Sequence, residues 1–545
     1  MKKALVFLAA AAVAVACASP EKMAKMAENV KVTCEPAVLE VVAGSIDPVV
    51  SVSYPKDYFN PNVILEVTPV IVYNGGEAEM KPIKYQGEKV KMNYKAISKD
   101  GQNVTEKLHF DYVEGMEKSH LELRAKVLAG KKTINLPTKK VADGANTTYM
   151  LVKGNGFVTP KADKYQDVIT ETAEGQIKYN LNSAEVRRSE LKGESVKEFL
   201  AALDAANANE RATVKSTEIV AYASPEGSVK HNNELSGNRS KSANKAWDKI
   251  TKGKDALDPT VKSVGEDWEG FQELVSQSNL EDKDLILRVL SMYSDPAVRE
   301  NEIRNMSQVY TALKGEVLPQ LRRARLIANV EIKNYTSEEL VQLLNNNEDV
   351  LDEEALLRTA TLVKNDDQKV KIYRKAIEKF GSSRAMFNLA ALYLEQGNSA
   401  KAAEGLAELD AKDPDVINAK GVIALRNNDL EKAEELFRKA GTEDAKKNLG
   451  IVHILNGQYE DAAKDLANVS GCCHNTVLAY ILTDQLDKAK AAAHCGDPKV
   501  WYLKAIIAAR QGNGAEVKTN LEKAFKSSAL KERAANDIEF AGYDF

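Results

Sequence analysis

The residues best suited to chemistry lie around one short loop in the middle of the chain. A strand predicted over residues 216–222 ends in a Ser-Pro-Glu-Gly loop, and a helix predicted over residues 230–250 follows. Glu226 lies in the loop and Arg239 on the helix. A carboxylate binds an ammonium group, and a guanidinium binds a carboxylate through two parallel hydrogen bonds. The loop and helix are therefore a candidate site for a charged ligand.

The same stretch resembles the peptidoglycan-binding domain of the outer-membrane protein A family. That family pairs a strand ending in Thr-Asp-x-x-Gly with a helix that carries Asn-x-x-Leu-Ser-x-x-Arg-Ala. The matching positions here are Gly227, Asn232, Leu235, Ser236 and Arg239. The resemblance extends from about residue 165 to 335. It implies an α/β fold in which the loop and the helix arginine hold the diaminopimelate of the cell-wall stem peptide.

One departure from the family pattern affects the ligand. Ser224 stands where the family has aspartate, and a serine provides no counter-charge for an ammonium group. Ammonium recognition must then come from Glu226, or it is weakened. The peptidoglycan-binding candidates are Ser224, Glu226, Asn232 and Arg239. Alternatively, Arg239 forms an ion pair with a neighbouring glutamate, the loop only turns the chain, and the fold is kept for protein contacts.

The elements that must position these residues follow from hydrophobic spacing. Residues 177–181 and 326–332 are predicted strands, and residues 195–203 are a predicted helix with apolar spacings of three and four. Residues 268–313 are predicted to be a helical insertion with an aromatic anchor. A run of three arginines precedes the last strand: Arg322, Arg323 and Arg325. For this run, a solvated face is favoured over a binding site for acidic groups.

The N-terminus predicts the compartment. Met1-Lys2-Lys3 and an uncharged run over residues 4–16 are typical of a signal peptide, and Ala14-Val15-Ala16-Cys17 resembles the lipobox of bacterial lipoproteins. The resemblance implies a lipid on Cys17 and an outer-membrane protein, with the rest of the chain facing the periplasm. The alternative is an ordinary secretory signal in which Cys17 is incidental. Residues 18–29 are predicted to be a polar tether.

Two further regions flank the middle domain. Residues 30–152 contain alternating runs separated by Gly, Pro, Asn and Asp, which predicts an antiparallel β-sandwich without assigning an activity. Residues 350–545 are helical and repetitive, with turns separated by 27 to 31 residues at Asp366, Gly397, Asn428, Gly457, Asp484 and Gly512.

Small residues follow four of these turns by five positions, where they allow paired helices to approach closely: Ala402, Ala433, Ala462 and Ala489. The region resembles tetratricopeptide repeats with shortened periods. The resemblance implies an all-α solenoid with an extended surface for a protein partner.

Composition and motifs exclude several functions. The chain has 75 Lys and Arg against 79 Asp and Glu, which argues against nucleic-acid binding. No hydrolase elbow, phosphate loop, dinucleotide fingerprint or His-Glu-x-x-His motif occurs, so we expect neither an enzyme nor a cofactor. Three roles are open for the C-terminal cysteines: a zinc site, a disulfide or simple packing between helices. These cysteines are Cys472, Cys473 and Cys495.

The predicted fold is thus multidomain: a β-sandwich, a central α/β domain of the outer-membrane-protein-A type with a helical insertion, and a helical solenoid. The predicted function is a non-enzymatic lipoprotein that tethers the outer membrane to peptidoglycan and scaffolds a protein partner. The alternative is a subunit of an outer-membrane assembly, secretion or fimbrial complex that no longer binds peptidoglycan. A third option is a surface-exposed adhesion or nutrient-capture lipoprotein.

Overall fold

A computed structural model describes residues 19–254, 256–470 and 474–545, without the side chains of residues 307 and 308. The chain divides into two compact units. The first unit combines the residues up to Lys161 with Ile377–Phe545, and the second unit is Ala162–Ala376. The predicted β and repeat regions therefore belong to the same unit.

The N-terminal part of the first unit is sheet-rich. After helix α1 (Pro20–Lys25) come β1 (Lys31–Glu35), β2 (Val38–Glu40), β3 (Ser45–Ile46), β4 (Val49–Tyr54), β5 (Ile64–Tyr73), β6 (Gly76–Glu79), β7 (Ile83–Gly87), β8 (Lys95–Ile97), β9 (Gln102–Lys107), β10 (Phe110–Asp111), β11 (Ser119–Ala129), β12 (Lys132–Asn135) and β13 (Lys139–Asn146). The larger sheets have the orders β1-β4-β9 and β2-β13-β11-β5-β7-β8. Alternation directs Val50, Val52 and Tyr54 of β4 into the core.

Two features of this region differ from the prediction. The sheets are not purely antiparallel, because β13 pairs with β2 and β7 pairs with β8 in parallel. In both pairs a short strand pairs with a strand that it follows or precedes through a longer connection than a hairpin turn. Alternation of apolar residues along one strand does not reveal whether its partner runs parallel or antiparallel. The described part of the predicted tether, residues 19–29, contains α1, and Met23 of that helix is fully buried. Met23, together with the partly buried Met26, thus packs the segment against the core.

The second unit is built around one sheet. Its elements are β14 (Val168–Lys178), α2 (Glu194–Ala208), β15 (Ala212–Ala223), α3 (Val229–Ile250), β16 (Thr260–Glu266), α4 (Trp268–Gln277), α5 (Lys283–Met292), α6 (Pro296–Asn305), α7 (Ser307–Glu316), β17 (Arg323–Lys333), α8 (Ser337–Asn346) and α9 (Glu353–Leu362). The sheet order is β14-β17-β15-β16, with β16 parallel to β15. The sequence misses β16, whose residues are mostly exposed at the sheet edge.

Two cores stabilise the second unit. Phe199 of α2 and Trp247 of α3 pack together over the sheet beside Ile219 and Leu326. The insertion α4–α7 has its own apolar cluster, in which Phe271 contacts Trp268 edge-on. The predicted helical insertion is confirmed as a separate layer of packing.

The C-terminal part of the chain is all-helical, as predicted. Its helices are α10 (Asp366–Phe380), α11 (Ser383–Glu395), α12 (Ser399–Ala407), α13 (Pro414–Arg426), α14 (Leu430–Ala440), α15 (Glu443–Leu455), α16 (Tyr459–Leu466), α17 (His474–Leu482), α18 (Leu486–Ala492), α19 (Pro498–Arg510), α20 (Gly514–Ala524) and α21 (Ser528–Asn536). The boundary between the two units falls within α10. From α11 to α20 the helices pack as consecutive pairs.

The repeat signals in the sequence have clear structural roles. The small residues Ala402, Ala433, Ala462 and Ala489 are all fully buried between helices. Five of the six turn positions have a positive φ, from 54° at Asp484 to 78° at Gly397. Glycine adopts this left-handed conformation without steric cost, and Asn and Asp tolerate it best among other residues.

Within the first unit, the sheet-rich region and the last repeats share one continuous core. A buried carboxylate at Glu539 adds polar contacts between them. It accepts hydrogen bonds from Asn146 at 2.8 Å, from Thr148 at 2.9 Å and from the guanidinium of Arg510. The β and repeat regions therefore pack against each other within one compact unit.

Candidate functional site

The predicted loop and helix form one wall of a cleft in the second unit. Strand β15 ends at Ala223, and α3 begins after Ser228, whose side chain accepts a hydrogen bond from the N–H of His231. Buried positions recur along α3 every three or four residues and include Asn232, Ser236 and Arg239. Burial of this helix face places the predicted site residues next to the end of β15.

Arg239 is completely buried, and its partners are neutral. Its guanidinium donates to the backbone carbonyls of Ser183 at 3.0 Å, Tyr222 at 2.9 Å and Asn180 at 3.2 Å, and it lies 5.0 Å from the centre of the Tyr179 ring. Among the described residues it forms no ion pair. Burial lowers the pKa of Arg239 to about 10, so the guanidinium stays charged at neutral pH.

Glu226 is bound by an arginine of its own chain. The Arg322 guanidinium donates to both oxygens of Glu226 at 2.9 to 3.1 Å, and the two side chains are only 13% and 11% exposed. The Ser224 hydroxyl donates to the same carboxylate at 2.5 Å. Glu226 therefore has its counter-charge within the protein, which leaves it poorly placed to receive a ligand ammonium.

The prediction that the arginine run is solvated is wrong for two of its members. Besides Arg322, Arg323 is paired with the buried Asp267 at 2.9 Å. Arg325 alone pairs at the surface, with Glu174 at 2.6 Å. Each acidic partner comes from a different element, so the pairing depends on tertiary structure and does not follow from the charge run.

Asn232 links the loop to the neighbouring strand. Its side-chain amide donates to the carbonyl of Gly227 at 3.2 Å and to the carboxylate of Glu266 at 2.8 Å. The other oxygen of Glu266 accepts from the indole of Trp268 at 2.8 Å. Asn232 thus braces the loop against the end of β16.

The cleft has a volume of about 690 Å³ and is predominantly polar. All four predicted peptidoglycan-binding candidates line it, and the insertion contributes Tyr310 and Lys314 from α7. Its walls carry three cationic side chains, Arg239, Lys314 and Arg322, against the single carboxylate of Glu226. This balance favours an anionic group in the cleft.

Sequence reasoning misses Lys314 as a cleft residue, because no motif connects it with the loop, and it expects Arg322 on a solvated face. It also misses four asparagines at one position of the first helices of successive repeats, which we name the asparagine ladder: Asn388, Asn418, Asn448 and Asn475. Their separations of 30, 30 and 27 residues match the repeat period. That recurrence is the signal that finds them.

The cysteine predictions have separate outcomes. Cys17, Cys472 and Cys473 lie outside the described residues. Cys495 is disulfide-bonded, and Cys34 is free. Within the described part of the chain, no group of three or more His, Cys, Asp or Glu side chains is arranged to hold a metal ion. No helix in that part is both long and apolar enough to cross a membrane.

Comparison with known proteins finds helical-repeat structures. No protein-family model and no curated protein matches the chain. A tetratricopeptide repeat protein from Parabacteroides merdae is similar over 36% of this chain and 88% of its own, with 15% identity and a TM-score of 0.29. Pseudomonas aeruginosa pilF is similar over 36% and 95%, with 14% identity and a TM-score of 0.28.

The Cut9–Hcn1 hetero-tetramer of the APC/C is similar over 64% of this chain and 61% of that chain, with 13% identity and a TM-score of 0.25. At these TM-scores the three structures do not identify what the chain binds. The chain has a sheet-rich N-terminal region and an all-helical C-terminal region, and it is similar in part to tetratricopeptide repeat proteins.

Proposed function

We propose that the chain is a non-enzymatic outer-membrane lipoprotein that tethers the membrane to peptidoglycan and scaffolds a protein partner through its helical repeats. The observation that carries the tether is the buried Arg239, whose guanidinium has only neutral partners beside a polar cleft. A buried charge without an ion pair is costly, and a ligand carboxylate offsets that cost.

The charge balance supports one mode of stem-peptide recognition. Because Arg322 neutralises Glu226, the excess positive charge comes from Arg239 and Lys314. A peptidoglycan stem peptide presents carboxylates, and these are the groups that the cleft attracts. The ligand ammonium, which the family aspartate binds, has no unpaired carboxylate among the described cleft residues. We therefore propose recognition through the carboxylates of the stem peptide.

Lipidation of Cys17 provides the membrane end of the tether. Acyl chains contribute roughly 0.8 kcal/mol per buried CH₂, and two or more chains give a stable anchor. The lipid anchor holds the cleft near the cell wall and so raises the effective concentration of peptidoglycan. A low affinity of the cleft for peptidoglycan is then sufficient. Metabolic labelling with an alkyne fatty acid is expected to mark the wild-type chain and to leave Cys17→Ser unlabelled. Equal labelling of both would exclude this anchor.

Sedimentation with purified peptidoglycan tests the wall contact. The experiment uses the full chain in mild detergent, with Lys314→Glu as the cleft variant, because Lys314 is exposed on α7 and does not hold the buried network. The matched control is Lys241→Glu, an exposed lysine on α3 outside the cleft. We expect wild type and Lys241→Glu to sediment alike and Lys314→Glu to remain mostly in the supernatant.

Either of two results would refute the cleft as the wall contact: a wild-type chain that stays in the supernatant, or two lysine variants that sediment equally. Arg239→Ala is a poor probe here, because it removes three hydrogen bonds from the core as well as a charge.

A second function is favoured by the Glu226–Arg322 pair. With the loop carboxylate already paired, the fold can act as a protein-contact module in an outer-membrane assembly, secretion or fimbrial complex. This candidate predicts a partner that co-purifies in fixed stoichiometry and a chain that does not sediment with peptidoglycan. Sedimentation without a fixed partner would exclude it.

A further inference from the structure

One face of the repeats is already occupied by the chain itself. Residues 151–161, which we call the strap, run along the asparagine ladder, with a turn at Gly154 and Asn155. Lys153 donates its N–H to Asn475 at 2.8 Å and accepts from the same amide at 3.1 Å. Lys161 makes the equivalent pair of bonds with Asn388 at 2.7 and 2.9 Å.

The central bond set is shared by two ladder residues. Phe157 donates its N–H to Asn448 at 2.7 Å, and its carbonyl accepts from Asn448 and from Asn418, each at 2.9 Å. Asn448 also donates to Asn418 at 2.9 Å. Every fourth residue of the strap therefore has both backbone groups bound by asparagine side chains.

The ladder residues are unusually buried for asparagine, with exposed fractions of 4%, 2% and 0% for Asn388, Asn418 and Asn448. Asn475 is likewise fully buried. Buried amides without partners cost about 1–3 kcal/mol each. The backbone N–H and carbonyl groups of the strap fulfil these hydrogen-bonding requirements, so the ladder is a built site for a peptide segment.

Side chains add selectivity to these backbone contacts. The ammonium of Lys153 binds Asp497 at 2.7 Å, and that of Lys161 binds Asp413 and lies 3.4 Å from Asp415. Phe157 is midway between the two lysines in sequence, and the Lys447 ammonium lies 5.8 Å from the centre of its ring. The acidic groups at the two ends select lysines eight residues apart.

Gly156 lies where a side chain would not fit. It has φ of +77°, and a Cβ atom at this position would lie 2.7 Å from the nearest atom of Val422 on α13. Nothing lies within 4 Å of a Cβ placed on Gly154. The ladder face therefore also selects a residue without a side chain immediately before the aromatic one.

We infer that the ladder face is a peptide site for segments of the pattern Lys-x-x-Gly-Phe-x-x-x-Lys, and that residues 151–161 of the same chain are its resident ligand. The inference rests on the proposed scaffold role and specifies the ligand of one repeat face. An external protein binds this face only if it carries this pattern and displaces the strap. Other partners must use other surfaces.

A peptide exchange experiment tests this inference. The probe is a fluorescein-labelled peptide of residues 150–163, and the strap is disabled in the full chain by Lys153→Glu, Phe157→Ala and Lys161→Glu together. We expect little peptide binding to wild type and clear binding to the strap-disabled chain. Adding Asn448→Ala is expected to weaken that binding about tenfold to a hundredfold, because buried hydrogen bonds to the peptide are lost.

The matched control is a peptide that carries the same three substitutions, which should not bind. A strap-disabled chain that retains the native circular dichroism but binds neither peptide would overturn the inference, as would binding unaffected by Asn448→Ala. These outcomes do not involve the cleft, so they are independent of the peptidoglycan result.

Hydrogen exchange on the wild type provides a second measurement in case the triple variant does not fold. The amides of Lys153, Phe157 and Lys161 should exchange about a hundredfold more slowly than those of Gly154 and Asn155. Within the described residues, the latter two have no hydrogen-bond acceptor. Equal exchange at all five amides would contradict a bound strap.

Discussion

The cleft of the second unit and the ladder face of the first unit differ in whether the protein itself supplies partners for their buried polar groups. In the cleft, Arg239 is held by backbone carbonyls and has no ion pair within the described chain. On the ladder face, neutral asparagines are buried, and a segment of the chain satisfies them. An unpaired charge is compatible with an external ligand, whereas a satisfied ladder indicates an internal one.

A residue in a recognisable motif is not necessarily free to bind a ligand. Glu226 lies in a recognisable motif, but its carboxylate is already paired with Arg322. The ladder asparagines have only their recurrence at the repeat period as a sequence signal, yet their hydrogen bonds define a ligand residue by residue. Four predictions test this contrast, from the largest expected effect to the smallest.

Replacing Arg239 with methionine should have the largest effect. The side chain retains comparable length, but three buried carbonyls lose their donor, so we expect a loss of about 3–5 kcal/mol in unfolding free energy. Urea unfolding followed by circular dichroism measures it. The control Arg187→Ala removes an arginine paired at the surface with Glu190 and should leave the midpoint nearly unchanged. Equal effects would show that the buried carbonyl network contributes nothing.

Acidification should weaken the strap through His474. Its Nε2 lies 2.7 Å from the Leu151 carbonyl, and burial lowers its pKa from 6.5 to about 4. The unfolded chain therefore binds a proton at higher pH than the folded chain does. Stability contributed by neutral His474 is complete above about pH 6.5 and falls as the pH drops towards 4, by roughly 3 kcal/mol.

The measurement is the unfolding free energy of wild type and His474→Gln between pH 7 and 4. Glutamine keeps an N–H donor but does not titrate, so the advantage of the wild type should shrink over this interval. Parallel curves for the two proteins would contradict the assignment.

Substitution of the strap glycines gives a matched pair. Gly156→Ala adds a methyl group in contact with Val422 at a positive φ, and we expect a loss of roughly 2–3 kcal/mol. Gly154→Ala points into open space and should change stability by no more than about 0.5 kcal/mol. Thermal melts of both variants measure the difference. If Gly154→Ala were the more damaging variant, the register of the strap would be wrong.

Removing the charge at one end of the strap should have the smallest effect. Lys153 and Asp497 are both partly exposed, so solvent screens their ion pair, and Lys153→Met is expected to cost less than about 1 kcal/mol. The backbone bonds to Asn475 persist in this variant. A loss of several kcal/mol in chemical unfolding would mean that the charge, and not the ladder, dominates this end.

Much of the fold follows from local patterns. The helical region, its buried alanines and its left-handed turn positions follow from residue type and period, because each repeat contacts mainly its neighbours. Strand β15 is likewise predictable, since it ends in the apolar run from Ile219 to Ala223. The buried face of α3 instead includes Asn232, Ser236 and Arg239, so the family resemblance and not an apolar face locates the site residues on that helix. Strand β16 is not predictable, because an exposed edge strand has no hydrophobic alternation to detect.

The sequence by itself determined the order of sheet-rich, mixed and helical regions and the residues that could carry charge-based recognition. Only the tertiary structure decided which charges remain available. Arg322 reaches Glu226 across 96 positions of the chain, and Asn475 reaches Lys153 across 322. Such pairs form because tertiary packing brings distant segments of the chain together. A local period or motif does not specify which segments meet.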